Sequence, residues 1–233
     1  MAIRRISNIA SIDLLEKTFK RKLVYPDLYE PTAVIDGAEE NSLTIISGNR
    51  PESITYSIWG LLPQLFKRDW YRYQSIYPSL QLNFKDLNKF KKLNEFEHIW
   101  PCLIIITGFF IYHYLEDDLI PILVNKTNKE PFCVAGIGST LSDGFQTCSL
   151  LTHHAHGVIE NIQNKYDQQP IIIEKKFYDY WLSSNLEISA MKTVLKFNKE
   201  EDLSAYSISK NFADGLSTSR PLQPVFYKEL PDF

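Results

Sequence analysis

The sequence predicts an α+β fold built mainly from antiparallel strands. Three observations lead there. Short β-branched and aromatic runs bounded by Gly, Pro, Asn and Asp recur along the 233 residues, whereas helical spacing is confined to a few short stretches. No internal repeat and no Gly/Ser-rich linker divides the chain, so residues 1–233 read as one domain. With 44% hydrophobic and 13% aromatic residues, the chain carries enough apolar surface for a core without staples, and low-complexity disorder is excluded.

The elements follow in order. Ser7 to Phe19 has helical spacing, with Ile9, Ile12, Leu15 and Phe19 three to four residues apart and Ser11 placed three before Leu14. Pro26 and Pro31 close that region. Leu43 to Ile46 is a short strand stopped by Gly48-Asn49, and Ile54 to Leu62 is a second strand closed by Pro63. Leu65 to Phe96 is basic and aromatic with weak periodicity, which predicts loop and short helix. Leu103 to Tyr114 reads as a buried strand pair broken at Gly108. Leu119 to Val124 and Phe132 to Ile137 are two more strands around the turn 125–130, and Thr147 to Leu151 is another. Ala155 to Ile162 reads as a helix, Pro170 to Ile173 as a short strand and Phe177 to Leu182 as a short helix. The tail from Ser183, and residues 186–233 in particular, is polar and reads as loop.

Composition narrows the function classes. Cys102, Cys133 and Cys148 are odd in number, widely spaced and set in apolar runs, which suits reduced core thiols in the cytoplasm and not a disulfide framework. No Cys-x-x-Cys pair exists, so no metal is expected, and no cofactor motif is present: a Gly-rich phosphate loop, GxSxG and HExxH are all missing. The most apolar run, Cys102 to Tyr112, falls well short of the roughly 18 residues of a spanning helix, so no membrane partner is expected. The N-terminus lacks the apolar stretch of a signal peptide, since Asp13, Glu16, Lys17 and Lys20 follow Arg4 and Arg5. Thr152-His153-His154-Ala155-His156 is rich in imidazole, but consecutive histidines point in different directions, and the stretch reads as a polar strand-to-helix junction. Glu116-Asp117-Asp118 reads as a solvated turn between two apolar runs.

The net charge of −3 hides a segregation. Residues 1–22 carry Arg4, Arg5, Lys17, Lys20, Arg21 and Lys22 against Asp13 and Glu16, a net +4. Residues 67–92 carry Lys67, Arg68, Arg72, Lys85, Lys89, Lys91 and Lys92 against Asp69 and Asp86, a net +5, which leaves −12 for the rest. Brought together, the two segments would make a cationic face suited to a polyanion. Held apart, they are solvated surface.

From Ile54 onward a collinear series of motifs appears. Trp59-Gly60-Leu61-Leu62-Pro63 resembles the W-G-L-I-P segment of the SOS-response-associated peptidase (SRAP) family. Cys102 to Phe110 (CLIIITGFF) is similar to that family's C-L-I-P-A-D-G-F-Y, and Pro131 to Ile137 (PFCVAGI) to its P-F-x-F-A-G-L. Thr147 to Thr152, Pro170 to Ile173 and Trp181-Leu182 resemble its T-x-x-I-I-T, M-P-V-I-L and W-L segments, so the likeness extends over about residues 1–185. The resemblance implies a barrel-like, two-sheet core with peripheral helices that recognises abasic sites in single-stranded DNA; the chain itself is expected to be a monomer. It also implies the family's chemistry. An N-terminal cysteine condenses through its α-amine with the sugar aldehyde, and its thiol closes a thiazolidine, giving a covalent DNA–protein crosslink. The same cysteine cleaves a propeptide where one exists. A Glu after G-F-Y and a His before M-P move protons, and an Asn of N-A-R positions the sugar.

The departures fall on the chemistry. Residue 2 is Ala2 where the family has Cys, which forbids the thiazolidine. Ile111 stands where the family has its Glu, and Gln163 where it has its His; neither transfers a proton at neutral pH. Asn83 keeps the residue type of N-A-R, with Lys85 in place of Arg. On the binding side, Arg4 occupies the position of a phosphate-contacting Arg, Phe66 follows Pro63 where the family places wedging aromatics, and Lys67 and Arg68 lie beside it. Three readings are open: non-covalent binding of single-stranded or abasic DNA with the reaction centre lost; residual imine or lyase chemistry on the Ala2 amine; or a protein-interaction module that reuses the fold without nucleic acid.

Overall fold

The computed structural model describes residues 3–91, 98–115, 118–197, 202–212 and 220–230. Within these residues the chain forms two mainly antiparallel sheets with short helices at their margins, the α+β class expected. The larger sheet contains a closed ring. Strands β4 (Ser42–Ser47), β5 (Arg50–Trp59), β7 (Trp100–Ile106), β10 (Phe132–Thr140) and β11 (Gln146–His153) pair in the order β11-β10-β7-β4-β5. The ring closes where β11 pairs in parallel with β5 through Thr147↔Ile58 and Cys148↔Trp59, and two short strands, β2 (Lys22–Leu23) beside β5 and β13 (Ile172–Ile173) beside β10, extend it.

A five-stranded sheet covers one side. Its order is β14 (Leu203–Ser207), β9 (Asp118–Lys126), β8 (Gly108–Leu115), β1 (Arg5–Asn8) and β3 (Thr32–Asp36). Alternation along the strands sends side chains into two cores. Cys102, Ile104 and Ile106 of β7 pack with Ile6, Phe109, Ile111 and Val124 of the second sheet. Leu103 and Ile105 face the other way, toward Leu15 and Phe19 of α1 (Ile12–Phe19) and Trp181 of α5 (Tyr178–Leu182).

Several local expectations hold and several change. Ser11 caps α1, its hydroxyl accepting from the Leu14 N–H at 3.3 Å, and Lys20 ends the helix in the left-handed region at φ 54°. The residues before Ser11 are not helical as expected. Ile6 and Ser7 pair with Phe109 and Gly108, so the apolar residues there serve a strand. The strands broken at Gly108 do not pair with each other: β7 lies in the ring and β8 in the second sheet. The same holds for β9 and β10. Within the stretch 65–96 lie α2 (Trp70–Ile76), α3 (Leu87–Lys91) and an unexpected strand, β6 (Gln81–Asn83), which pairs in parallel with Leu150–Thr152. The tail is also more ordered than its polarity suggests. It contains α6 (Ile188–Phe197), whose Val194 is buried, and β14, which pairs with β9 from Ile122 to Lys126. Glu116 and Asp117 lie outside the described residues.

Candidate nucleic-acid interface

The Trp59 to Pro63 stretch builds the local frame. Trp59 is fully buried, and its indole N–H donates to the Leu80 carbonyl at 2.9 Å, which anchors the approach to β6. The indole of Trp70 donates to the Trp59 carbonyl at 3.1 Å and so fixes the start of α2. Gly60 between them sits at φ +115°, and a Cβ there would lie 2.5 Å from the Gln74 amide nitrogen. Only glycine meets both demands. Leu61 and Leu62 then donate to the Ser79 carbonyl and the Thr147 hydroxyl. The motif is a clamp that holds α2 and β6 against the end of the ring.

The start of the chain enters this frame. The Ile3 N–H donates to the Gln81 side-chain carbonyl of β6 at 2.7 Å, and the Ile3 side chain is buried in the cluster that holds Ile111, Ile159 and Ile162. Ala2 itself lies outside the described residues. Ile111 is 2% exposed on β8, in surroundings that suit an aliphatic side chain. Gln163 caps the C-terminus of α4 (Gly157–Ile162), and its side-chain amide donates to the Gln168 carbonyl at 3.1 Å. Gln168 in turn accepts from the Thr152 hydroxyl at 2.6 Å, and Thr152 pairs with Asn83. The positions at 111, 163 and 83 are thus connected to one another and to the chain start by packing and hydrogen bonds. Asn83 ends β6, and its side-chain carbonyl accepts from the Lys85 N–H at 3.0 Å, an Asx turn that leaves Lys85 exposed.

The basic residues divide into two kinds. Arg4 and Arg5 share one partner, Asp36, at 3.4 and 2.8 Å. Lys67 and Arg68 are exposed and form no ion pair among the described residues, with half-buried Phe66 beside them. The first basic segment is itself split. Lys22 pairs with Ser53 near the start of β5, six residues before the Trp59 that meets Leu80, about 20 Å along an extended strand. Lys17 to Lys22 therefore lie away from β6, and only the first residues join it.

None of the three thiols reaches the surface. All three cysteines are fully buried; burial pushes Cys133 and Cys148 up to about 12 and Cys102 well above its ordinary value, so they stay protonated. The histidine stretch is the junction expected: β11 ends at His153 and α4 begins at Gly157. No group of three His, Cys, Asp or Glu residues able to hold a metal occurs among the described residues. One imidazole went unforeseen. His113 lies two residues after Ile111 on the same face of β8; its Nδ1–H donates to the Ile162 carbonyl at 2.6 Å, and its Nε2 accepts from Asn164 at 3.3 Å. Period two from Ile111 was the signal that pointed to it. The aromatic pair Tyr73 and Tyr77, four apart and in contact, was equally readable.

The clamp, with buried Ile3 beside a short parallel strand, is the geometry of the candidate site. The family model for SOS response associated peptidase (SRAP) matches residues 4–214, and the chain belongs to that family. Membership supports a SRAP-like role in the DNA-damage response. Among solved structures, a protein from Bacteroides thetaiotaomicron is 20% identical with a TM-score of 0.79, the match covering 95% of this chain and 99% of that one. A protein from Bordetella bronchiseptica is 14% identical with a TM-score of 0.65, over 88% of this chain and 99% of the other. A phage-related protein from the same organism is 12% identical with a TM-score of 0.63, over 88% and 93%. These likenesses show the shared fold. No curated protein matches the chain. No helix among the described residues is long and apolar enough to cross a membrane.

Proposed function

We propose that this SRAP-family protein binds single-stranded or abasic DNA non-covalently, on the face where its first residues meet β6, and that the crosslinking and peptidase chemistry of the family is lost. One observation carries the reading. The hydrogen bond from Ile3 to Gln81 ties the chain start to the Lys/Arg-rich middle segment, the juxtaposition that a polyanion-binding face requires. Loss of the chemistry rests on the residues themselves. Ala2 offers no thiol, Ile111 and Gln163 exchange no protons, and the three remaining thiols are buried and protonated. The proposed DNA contacts are Arg4, Phe66, Lys67, Arg68 and Lys85, with Asn83 beside the sugar. The whole of residues 1–233 acts as one monomeric unit in the cytoplasm.

Fluorescence anisotropy with a labelled abasic oligonucleotide at about 50 mM salt, where phosphate-driven binding is strongest, tests the reading. Measurable affinity that falls steeply with added salt is the expected result. Undetectable affinity overturns it and favours a protein-interaction module. The same mixture treated with borohydride should give no trapped adduct, whereas a band shifted on a denaturing gel would mean that the Ala2 amine still forms an imine.

A further inference from the structure

The second half of the first basic segment takes no part in the site above. Lys17, Lys20, Arg21 and Lys22, with Asp13 and Glu16, line an open hollow of about 400 Å³ at the end of α1. Four cations against two carboxylates leave +2 there. A helix C-terminus draws cations to its carbonyls, but that need is already met. The Thr18 carbonyl accepts from the Lys175 ammonium at 2.8 Å, and the Phe19 carbonyl from the Arg21 guanidinium at 3.0 Å. Arg21 also meets Asp179, and Lys22 meets Glu16. Lys17 and Lys20 are exposed and form no ion pair among the described residues. Apolar side chains stand beside them. The chain runs back along α1 from Leu23, whose N–H donates to the Glu16 carboxylate at 3.0 Å, to Tyr29, whose hydroxyl donates to the Ala10 carbonyl at 2.7 Å. This return segment presents Tyr25 at 67% and Leu28 at 72% exposure. Its backbone is fixed: the Val24 N–H donates to the Ile54 carbonyl, and the Tyr25 carbonyl accepts from the Tyr56 hydroxyl. Lys20 and Tyr25 both hold the left-handed backbone that favours glycine, at φ 54° and 58°. Each keeps that strained conformation with its side chain left largely in solvent.

We propose that the hollow and the return segment dock a protein partner through an acidic peptide that carries an apolar side chain. Its carboxylates meet Lys17 and Lys20, and its apolar group lies against Tyr25 and Leu28. The surface is away from β6 and does not rest on the DNA-binding reading. Unpaired cations next to exposed apolar side chains complement that chemistry, and a backbone already fixed lowers the ordering cost of docking. A nucleic acid fits less well. Its evenly spaced phosphates would meet the exposed carboxylates of Asp13, Asp27 and Glu30, and Leu28 offers no ring on which a base could stack. A free phosphate would leave Tyr25 and Leu28 uncovered.

Amide NMR spectra of the full chain test it. The additions are a short peptide of glutamates flanking a Leu-Phe pair, the same peptide with Ala-Ala in place of that pair, and an oligothymidylate. The Leu-Phe peptide should shift the amides of Lys17, Lys20, Lys22, Tyr25 and Leu28 and approach saturation by about 1 mM. The Ala-Ala peptide should bind more weakly by about fivefold or more. Reversing both lysines, Lys17→Glu with Lys20→Glu, should weaken the Leu-Phe peptide by about tenfold, and Leu28→Ser by about fivefold, with spectra elsewhere unchanged. Lys20→Gly separates docking from folding. It relieves the left-handed backbone, so the melting temperature should rise while peptide binding weakens. Silent amides at about 1 mM peptide, equal affinity for the two peptides, or undiminished binding by Lys20→Gly overturns the proposal. Shifts of the same amides by the oligothymidylate would give the surface to nucleic acid and overturn it as well.

Discussion

His153 shows how much one side chain contributes. Burial, followed by the neighbouring His156 and His154, pushes its pKa down to about 4 from an ordinary 6.5. The folded state therefore holds a neutral imidazole where the unfolded chain takes up a proton. Between pH 6.5 and about 4 the unfolded state binds more protons, so stability is present above the upper value and is lost as pH falls through this window. The loss is at most about 3 kcal/mol. Urea midpoints measured from pH 7 to 4 should fall, and His153→Gln should flatten that fall. The thiols supply a second measurement at this scale. A soluble thiol reagent should label none of Cys102, Cys133 and Cys148 in the native protein and all three in denaturant, because each is fully buried. A native-state reaction would mean that a core strand opens.

Strands and turns depend on shape more than on charge. Gly138 of β10 faces the ring of Trp100 on β7, and an added Cβ would lie 2.1 Å from the indole. Both belong to the closed ring, where Gly138 and Trp100 are direct partners. Gly138→Ala should therefore cost about 1–3 kcal/mol, read as a lowered melting temperature, and pairing it with Trp100→Leu should recover part of the loss. At this scale the sequence was legible where a run is buried on both sides. The runs at 43–46, 103–106, 132–137 and 147–151 are all ring strands, since continuous apolar character admits few other placements. It misled where an element is short and takes its order from a partner. Gln81 to Asn83 has no periodicity of its own and becomes a strand only because Leu150 to Thr152 offers an open edge. Ile9 and Ile12 share a helical spacing that the chain does not use, because Ile6 to Asn8 pair in the second sheet before the helix starts.

Across the whole molecule, protection should follow closure. Amides of β4, β7 and β10 are bonded on both sides within the ring and should exchange with solvent most slowly, while those of α2 and β14, at the margins, should exchange sooner. Uniform protection across all of these would contradict the arrangement. The candidate site was legible in part for a related reason. Residues 83, 111 and 163 are far apart in sequence, and only collinear motifs could relate them; the Ile3 to Gln81 bond and the His113 to Ile162 bond depend on side-chain positions that no spacing encodes. The division of the first basic segment was equally hidden, because charge counts carry no direction.

One edge of β11 is shared. It pairs with β5 through Thr147 and Cys148 and then with β6 from Leu150 to Thr152, while its other edge passes from β10 to β12 (Gln169–Pro170). The barrel wall thus has a nick where one short neighbour hands over to the next, and the turn at Gly60 sits at that handover. Displacing β6 would therefore cost only its short pairing with Leu150–Thr152 and leave the long antiparallel ladders intact, so a substitution at the handover should perturb the proposed binding face while the rest of the wall keeps its shape.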